Sequence, residues 1–456
     1  MSQIIQLLRL RLHLGLACIY LLWCLSGSVN LQMLFAILLL LAAIIAFPQC
    51  RRSTQATALA LFALGALCLW SFRGNYLDWS VALTANGGLV VLFIALPLFS
   101  FLLNYNDYIG SVGKLFQVYV RKPHWFFTLI AVFAGLLGAV MNLAGMTLMD
   151  QLLRPSLPKF GKEKHFTQAL SRGNLSMSYW APCHMSVATV ITYTGISWLE
   201  LAPRGILLSL LQLLVIALFF FINVPKHKEE ASAVLASTEP LVTFDKKDRK
   251  IIAELLVVYV GLIIWVAIFN WQTNLPILAI ITITAYSYPL LVALWVSKTA
   301  GFKKDWQQYI RIEPKISNQV LLFSSVGFFG KALALSGIGD RVIQLIGLDN
   351  ITSPILLIAG IALVMVFLSM IGIHPLVSMI TLATTLRPEL LGISSLSLAY
   401  TYLLGYSVGV VVSPFSAVAL TMSALNGQDP WNGLTKYNIV YGIVLIALFA
   451  CIISFI

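Results

Sequence analysis

The chain is 456 residues long, 59% hydrophobic and only 10% charged, with a formal net charge of +12. At a mean hydropathy of +0.91 it has too little polar surface to cover a water-soluble globule, so lipid must cover most of it. The positive charge does not indicate nucleic acid, because the bases sit in short clusters between apolar runs and not along one amphipathic face; this is the pattern of a topology signal and of attraction to anionic headgroups.

A helix crossing ~30 Å of hydrocarbon needs about 20 mostly apolar residues and satisfies its own backbone there. Such runs fall at about 12–28, 31–48, 55–72, 83–104, 125–153, 176–198, 204–223, 251–270, 275–297, 318–338, 354–386, 394–425 and 437–456. The first, preceded by Arg9 and Arg11 and ending near Ser26-Gly27-Ser28, has the look of a cleavable signal, but a second run follows at once and it reads as the first helix. If all thirteen runs crossed, the bases Arg154, Lys159, Lys162, Lys164 and Arg172 would face the opposite side from Lys114, Arg121 and Lys122. That violates the positive-inside rule.

The conflict disappears if 125–153 is a re-entrant hairpin that enters from the cytoplasm and turns near Asn142 to Gly145. Segment 354–386, with Gly372, His374 and Pro375 at its tip, reads as a second hairpin entering from outside. The expectation is an all-α integral membrane protein with about eleven transmembrane helices and two re-entrant hairpins. Bases near Arg9, Arg51, Lys114, Arg154, Lys226, Lys246, Lys303, Arg311 and Lys436 are then cytoplasmic, and outside loops hold only Arg73, Arg204, Arg341 and Arg387. The expected location is the bacterial cytoplasmic (inner) membrane, with the N-terminus inside and the C-terminus outside.

Aligning the chain with itself pairs Asp107 with Asp340 at an offset of 233. The same offset pairs Leu143 with Leu376, Met146 with Met379, Leu153-Arg154-Pro155 with Leu386-Arg387-Pro388, and Trp198 with Trp431; Pro182 pairs with Pro414 at 232. Each half runs crossing, hairpin, Pro-broken crossing, crossing, and the two copies thread the membrane in opposite senses, as in the inverted-topology repeats of secondary transporters. The expected division is a leading helix at 1–30, a first repeat at 31–224 with hairpin 125–153 and broken helix 176–198, a cytoplasmic linker at 225–250, and a second repeat at 251–456 with hairpin 354–386 and broken helix 394–425.

Segment 176–198 carries Ser176, Ser178, Tyr179, Pro182, His184, Ser186, Thr189, Thr192 and Thr194, an unusually polar set for a lipid-embedded helix; its counterpart carries Ser413, Pro414, Ser416, Thr421 and Ser423. Proline removes a donor and clashes with the preceding turn, so each helix should break and present half-helix ends. Exposed N-terminal N–H groups favour an anion, and freed carbonyls can hold a cation. The plainer reading is that Ser and Thr cap their own helices and proline only kinks them. His184 and His374 could carry protons, or serve as neutral hydrogen-bonded structural groups. Asp107 and Asp340 sit at segment ends, where a cap is the default. No zinc-spaced His/Cys cluster and no Walker-type loop is present in the sequence, which argues against an enzyme and against a bound cofactor.

This layout resembles the ion transporter superfamily, which includes divalent anion/sodium symporters, the large membrane subunit of TRAP transporters and arsenite permeases. Its members have a leading helix and two inverted five-helix repeats, each with a hairpin and a discontinuous helix. The stretch from Gly138 through Arg154-Pro155, Lys164 and Pro182 to Tyr193-Thr194-Gly195-Ile196-Ser197 is similar to the corresponding TRAP region. Divalent anion symporters carry Ser-Asn-Thr at both tips, whereas the tips here read Met141-Asn142-Leu143 and His374-Pro375-Leu376.

The resemblance implies a secondary transporter of elevator type for a small anionic solute. The expected substrate-binding residues are Asn142, Pro182, His184, Ser186, Thr189, His374, Ser378, Ser413, Pro414 and Ser416. The coupling ion would be sodium or a proton; sodium would bind near Asn142 and Ser413. A homodimer or an accessory subunit remains open as a partner, as do two other classes, a membrane-embedded glycan polymerase or ligase and a nonenzymatic subunit of a larger complex. Cysteine labelling tests the threading: a cysteine at Lys162 should react only with reagent on the cytoplasmic side and one at Arg387 only from outside, and reaction of both from one side would refute the inverted arrangement.

Overall fold

The computed structural model describes residues 3–71, 73–224, 243–296, 305–307, 309–310, 316–336, 353–386 and 388–456, and all regular structure among them is helical. The expected positions Lys226, Lys303, Arg311, Asp340, Arg341 and Arg387 lie outside the described residues, and so do the Asp107–Asp340 and Arg154–Arg387 pairings.

The chain opens with α1 (Gln3–Ser26), α2 (Val29–Ala46) and α3 (Arg52–Ser71), then bends through α4 (Tyr76–Thr84), α5 (Gly87–Ala95) and a 3-10 stretch at Leu96–Asn104. The amphipathic α6 (Tyr108–Tyr119) follows, and Asp107 is its cap, accepting from the Gly110 N–H at 3.0 Å. The first hairpin is α7 (Pro123–Met141) and α8 (Leu143–Leu153). After the single turn α9 (Leu157–Phe160) come α10 (Glu163–Ser176), a 3-10 turn at Met177–Tyr179, α11 (Met185–Thr194) and α12 (Trp198–Asn223). Next are α13 (Lys246–Gln272), α14 (Ile277–Trp295) and α15 (Ser317–Leu335). The second hairpin is α16 (Pro354–Met370) and α17 (Pro375–Thr385), followed by the turn α18 (Pro388–Leu391), α19 (Ser395–Val412), α20 (Ala417–Asn426) and α21 (Lys436–Ile453).

Eleven stretches of the described residues are long and apolar enough to cross a membrane. Their number equals the expected one but their membership differs: the hairpin arm Pro123–Met141 qualifies, and segment 176–198 does not. The reason is that the first broken helix begins at Glu163, not at 176. Its first half, α10, is polar in sequence yet buried from His165 to Ser176, so hydropathy assigns it to a loop. In the second half α19 and α20 are separated at Ser413–Ser416. Residues 246–250, placed in the linker by composition, are the start of α13, which Asp245 and Asp248 open with a reciprocal capping box.

From the hairpins onward the described helices of the two halves correspond. The second hairpin arms α8 and α17 both have eleven residues and open at Leu143 and Pro375, 232 positions apart. The second halves of the broken helices, α11 and α20, both have ten residues, open at Met185 and Ala417, and end on left-handed glycines Gly195 and Gly427, again 232 apart. The structural offset is therefore that of Pro182 and Pro414, one short of the offset most of the identities share. Packing repeats as well: α7 lies on α10 and α12 as α16 lies on α19 and α21, and α8 packs on α20 as α17 packs on α11.

The α7–α10 contact depends on backbone approach. A Cβ built on Gly173 of α10 would lie 2.2 Å from the Ala131 carbonyl oxygen and 2.5 Å from its Cα, so neither chain can yield by a side-chain rotation. Gly173→Ala should lower unfolding free energy by ~1–3 kcal/mol, read as a depressed thermal midpoint in detergent. Gly360→Ala, whose Cβ meets nothing within 4 Å, is the neutral control; equal midpoints for the two variants would contradict the packing.

Candidate functional site

Four helices start inside the fold, after a hairpin turn or a mid-helix break, and their cap residues are Asn142 (α8), His184 (α11), His374 (α17) and Ser416 (α20). A helix start leaves up to four backbone N–H groups without helical partners. The Ser416 hydroxyl accepts from the Ala419 N–H at 3.0 Å. The His374 Nδ1 accepts from the Leu376 N–H at 3.2 Å, which makes that ring neutral with its proton on Nε2. The His184 Nδ1 lies 2.8 Å from the Ser186 hydroxyl and 3.4 Å from the Ser186 N–H. The Ser186 hydroxyl in turn donates to the Ser178 carbonyl at 3.0 Å.

His184 is 1% exposed, and its Nε2 is buried without a hydrogen-bond partner. Whichever tautomer holds, Nε2 is the atom left to meet a proton or a ligand. Asn142 differs from the other three caps. Its side chain makes no cap hydrogen bond, and its backbone sits at φ 56°, ψ −127°, a region that a side chain disfavours.

The caps fall into two pairs, because α11 packs on α17 and α8 packs on α20. One pair is capped by two histidines and the other by an amide and a hydroxyl. Helix α19 ties the histidine pair to the second break. Its Tyr406 ring meets His184 edge-on with centroids 5.8 Å apart, and one turn on, the Gly409 carbonyl accepts from Ser369 Oγ of α16 at 3.0 Å. Ser413 Oγ returns the bond, donating to the Ser369 carbonyl at 2.6 Å and accepting from the Phe415 N–H at 3.2 Å.

Of the remaining expected residues, Pro182 is buried in the first break and Pro414 is half-buried beside Phe415, which is 60% exposed. Thr189 and Ser378 spend their hydroxyl protons within their own helices, on Met185 O at 2.7 Å and Pro375 O at 2.9 Å, so they offer only lone pairs. Ser416 likewise serves its own helix as the cap of α20, whereas Ser186 and Ser413 donate to carbonyls of other elements.

Sequence reasoning named Ser178 only within a polar set, and it missed Ser369 and Tyr406, whose roles arise only from contacts between elements, and Asn174. Asn174 of α10 is 1% exposed with both amide atoms unpartnered, and it lies over Gly138 of the first hairpin, where a Cβ would come 2.3 Å from its Oδ1. Its signal was available in the polarity of 163–176, a stretch assigned to a loop. No group of three or more His, Cys, Asp or Glu side chains is placed to hold a metal ion among the described residues.

The strain at Asn142 is testable. Asn142→Gly should raise stability by ~1–3 kcal/mol, seen as a higher thermal midpoint, and Asn142→Val should lower it. A lower midpoint for the glycine variant would show that the asparagine side chain, and not the turn, dominates there.

No protein-family model matches this sequence, and no curated protein does. Among solved structures, the crystal structure of the YdaH transporter of Alcanivorax borkumensis has a similar fold. It matches with a TM-score of 0.58 over 88% of this chain and 96% of that one, at 13% sequence identity. This chain is thus a multi-pass helical membrane protein with a transporter fold.

Proposed function

We propose that this protein is a secondary active transporter of the ion transporter superfamily type, carrying a small anionic solute across the bacterial cytoplasmic membrane. The observation that carries the reading is the set of four interior helix starts, paired across two corresponding halves. Each start contributes about half a positive charge from its unsatisfied N–H groups, and in a low-dielectric interior such ends favour an anion. The shared fold with a transporter favours transport over a membrane-embedded glycan polymerase.

In this reading the solute lies between Asn142, His184, Ser186, His374, Ser413 and Ser416, with Pro182 and Pro414 creating the breaks and Thr189 and Ser378 lining them. The two pairs of helix starts take different tasks. The histidine pair is suited to proton exchange through His184 Nε2, and the Asn142–Ser416 pair, with Asn174 nearby on α10, to a sodium ion held by amide, hydroxyl and carbonyl oxygens.

The hairpins and broken helices move together as an elevator against the remaining helices. Their contacts with that frame include the Tyr193 hydroxyl donating to Asn86 Oδ1 at 2.5 Å and Thr384 facing Gly330. The chain works alone, as a dimer or with an accessory subunit, with the N-terminus in the cytoplasm and the C-terminus outside.

Thermal unfolding of purified protein against small organic and inorganic anions, with and without sodium, tests the solute class. A ligand at 100 times its Kd should stabilise the protein by about 2.7 kcal/mol. Stabilisation by neutral or cationic solutes alone would overturn the anion assignment. For the movement, a short bifunctional thiol cross-linker should join Asn86→Cys to Tyr193→Cys under one gradient condition and not its reverse; equal yields under both would count against an elevator.

A further inference from the structure

Arg172 lies in the middle of α10 and is 1% exposed. Its Nε donates to Asn438 Oδ1 at 2.7 Å and its Nη2 to the Tyr437 carbonyl at 2.9 Å, both on α21. Its guanidinium carbon stands 4.2 Å from the Tyr441 ring centroid and 4.9 Å from that of Phe219. All of these partners are neutral.

Ion pairs in the structure join Asp150 and Glu163 to Arg154, and Asp248 to Lys114. None reaches Arg172. Its Nη1 is buried without any acceptor. A buried cation without a counter-charge is strongly unfavourable, and π faces and carbonyls compensate only part of the loss of water.

The helices that meet Arg172 carry further buried polar groups. The Tyr441 hydroxyl and the Gln212 side chain are buried next to each other, and Ser209 Oγ one turn before Gln212 and Thr435 Oγ1 one turn before Asn438 are buried without hydrogen-bond partners. A positive approach leads inward from the surface. The exposed Lys164 and Lys436 place their ammonium groups 5.4 and 5.2 Å from the Tyr437 ring centroid, and the carbonyl of that same tyrosine receives Arg172.

We infer that Arg172 Nη1, flanked by Tyr441 and Gln212, is the floor of a buried oxyanion site between α10, α12 and α21, separate from the interior helix starts, with Lys164 and Lys436 at its mouth. The ligand is a phosphate-like oxyanion, because Nη1 is an unused donor on a charged group, and hydrogen bonds from a guanidinium to an ionised oxygen are about twice as strong as neutral ones. It arrives either as a free anion or as the phosphate of an anionic phospholipid headgroup. Occupied, the site ties the first half of the broken helix to the last helix.

The test uses full-length protein in neutral detergent, stripped of lipid, at constant ionic strength. Thermal midpoints are followed against inorganic phosphate, and separately against mixed micelles containing phosphatidylglycerol or phosphatidylcholine. One of the two anionic probes, inorganic phosphate or phosphatidylglycerol, should raise the wild-type midpoint saturably, and zwitterionic phosphatidylcholine should not. Arg172→Gln should weaken that response at least tenfold, and Lys164→Ala with Lys436→Ala should weaken it severalfold.

A response to phosphate identifies a free oxyanion, and a response to phosphatidylglycerol alone identifies a lipid headgroup. If Arg172→Gln fails to fold, Tyr441→Phe keeps the packing and should still weaken the response severalfold. No response to either probe, or an equal response in wild type and the Arg172 or Tyr441 variant, overturns the site. An anion held only at the helix starts would produce that second result.

Discussion

A helix that begins inside a lipid-covered protein must have partners for the N–H groups of its first turn, and there is no bulk water to supply them. This fold contains four such starts. Side chains of His184, His374 and Ser416 each accept one backbone N–H, and the remaining donors are the protein's fixed source of positive potential. The surrounding helices enclose these starts: hairpin arms α7 and α16 pack on α8 and α17, and α19 packs on α11, α17 and α20.

The correspondence between halves is exact in helix length and offset for α8 with α17 and for α11 with α20, yet the caps are chemically unlike. Under the exchange of halves Asn142 maps onto His374, and His184 onto Ser416. Because α11 meets α17 and α8 meets α20, the exchange places both histidines in one contact and the amide and hydroxyl in the other. Corresponding backbone elements thus carry chemically unlike caps.

Most of this fold was legible in the sequence because lipid makes hydropathy a direct report of helix position. The first hairpin turn at Asn142 and both proline breaks were readable for the same reason: irregular backbone stands out in an apolar run. Hydropathy failed at α10, where Gln168, Arg172 and Asn174 are all buried. A polar helix enclosed by protein has the composition of a loop, and only its contacts with α7, α12 and α21 reveal it. For the same reason Arg172, counted among surface bases when reading topology, is the least solvated charge in that helix. The residues that complete the site, Ser369 and Tyr406, gave no signal because their roles come from neighbours distant in the chain.

The central claim is that helix starts from both halves face one solute. In a background lacking the six native cysteines, single cysteines at Ala144, beside the first tip, and at Phe415, in the second break, are both exposed to a thiol reagent. The account predicts that a stabilising anion slows labelling at both positions with one half-saturating concentration. Protection at only one position, or at concentrations that differ severalfold, would show that the two halves do not share a site.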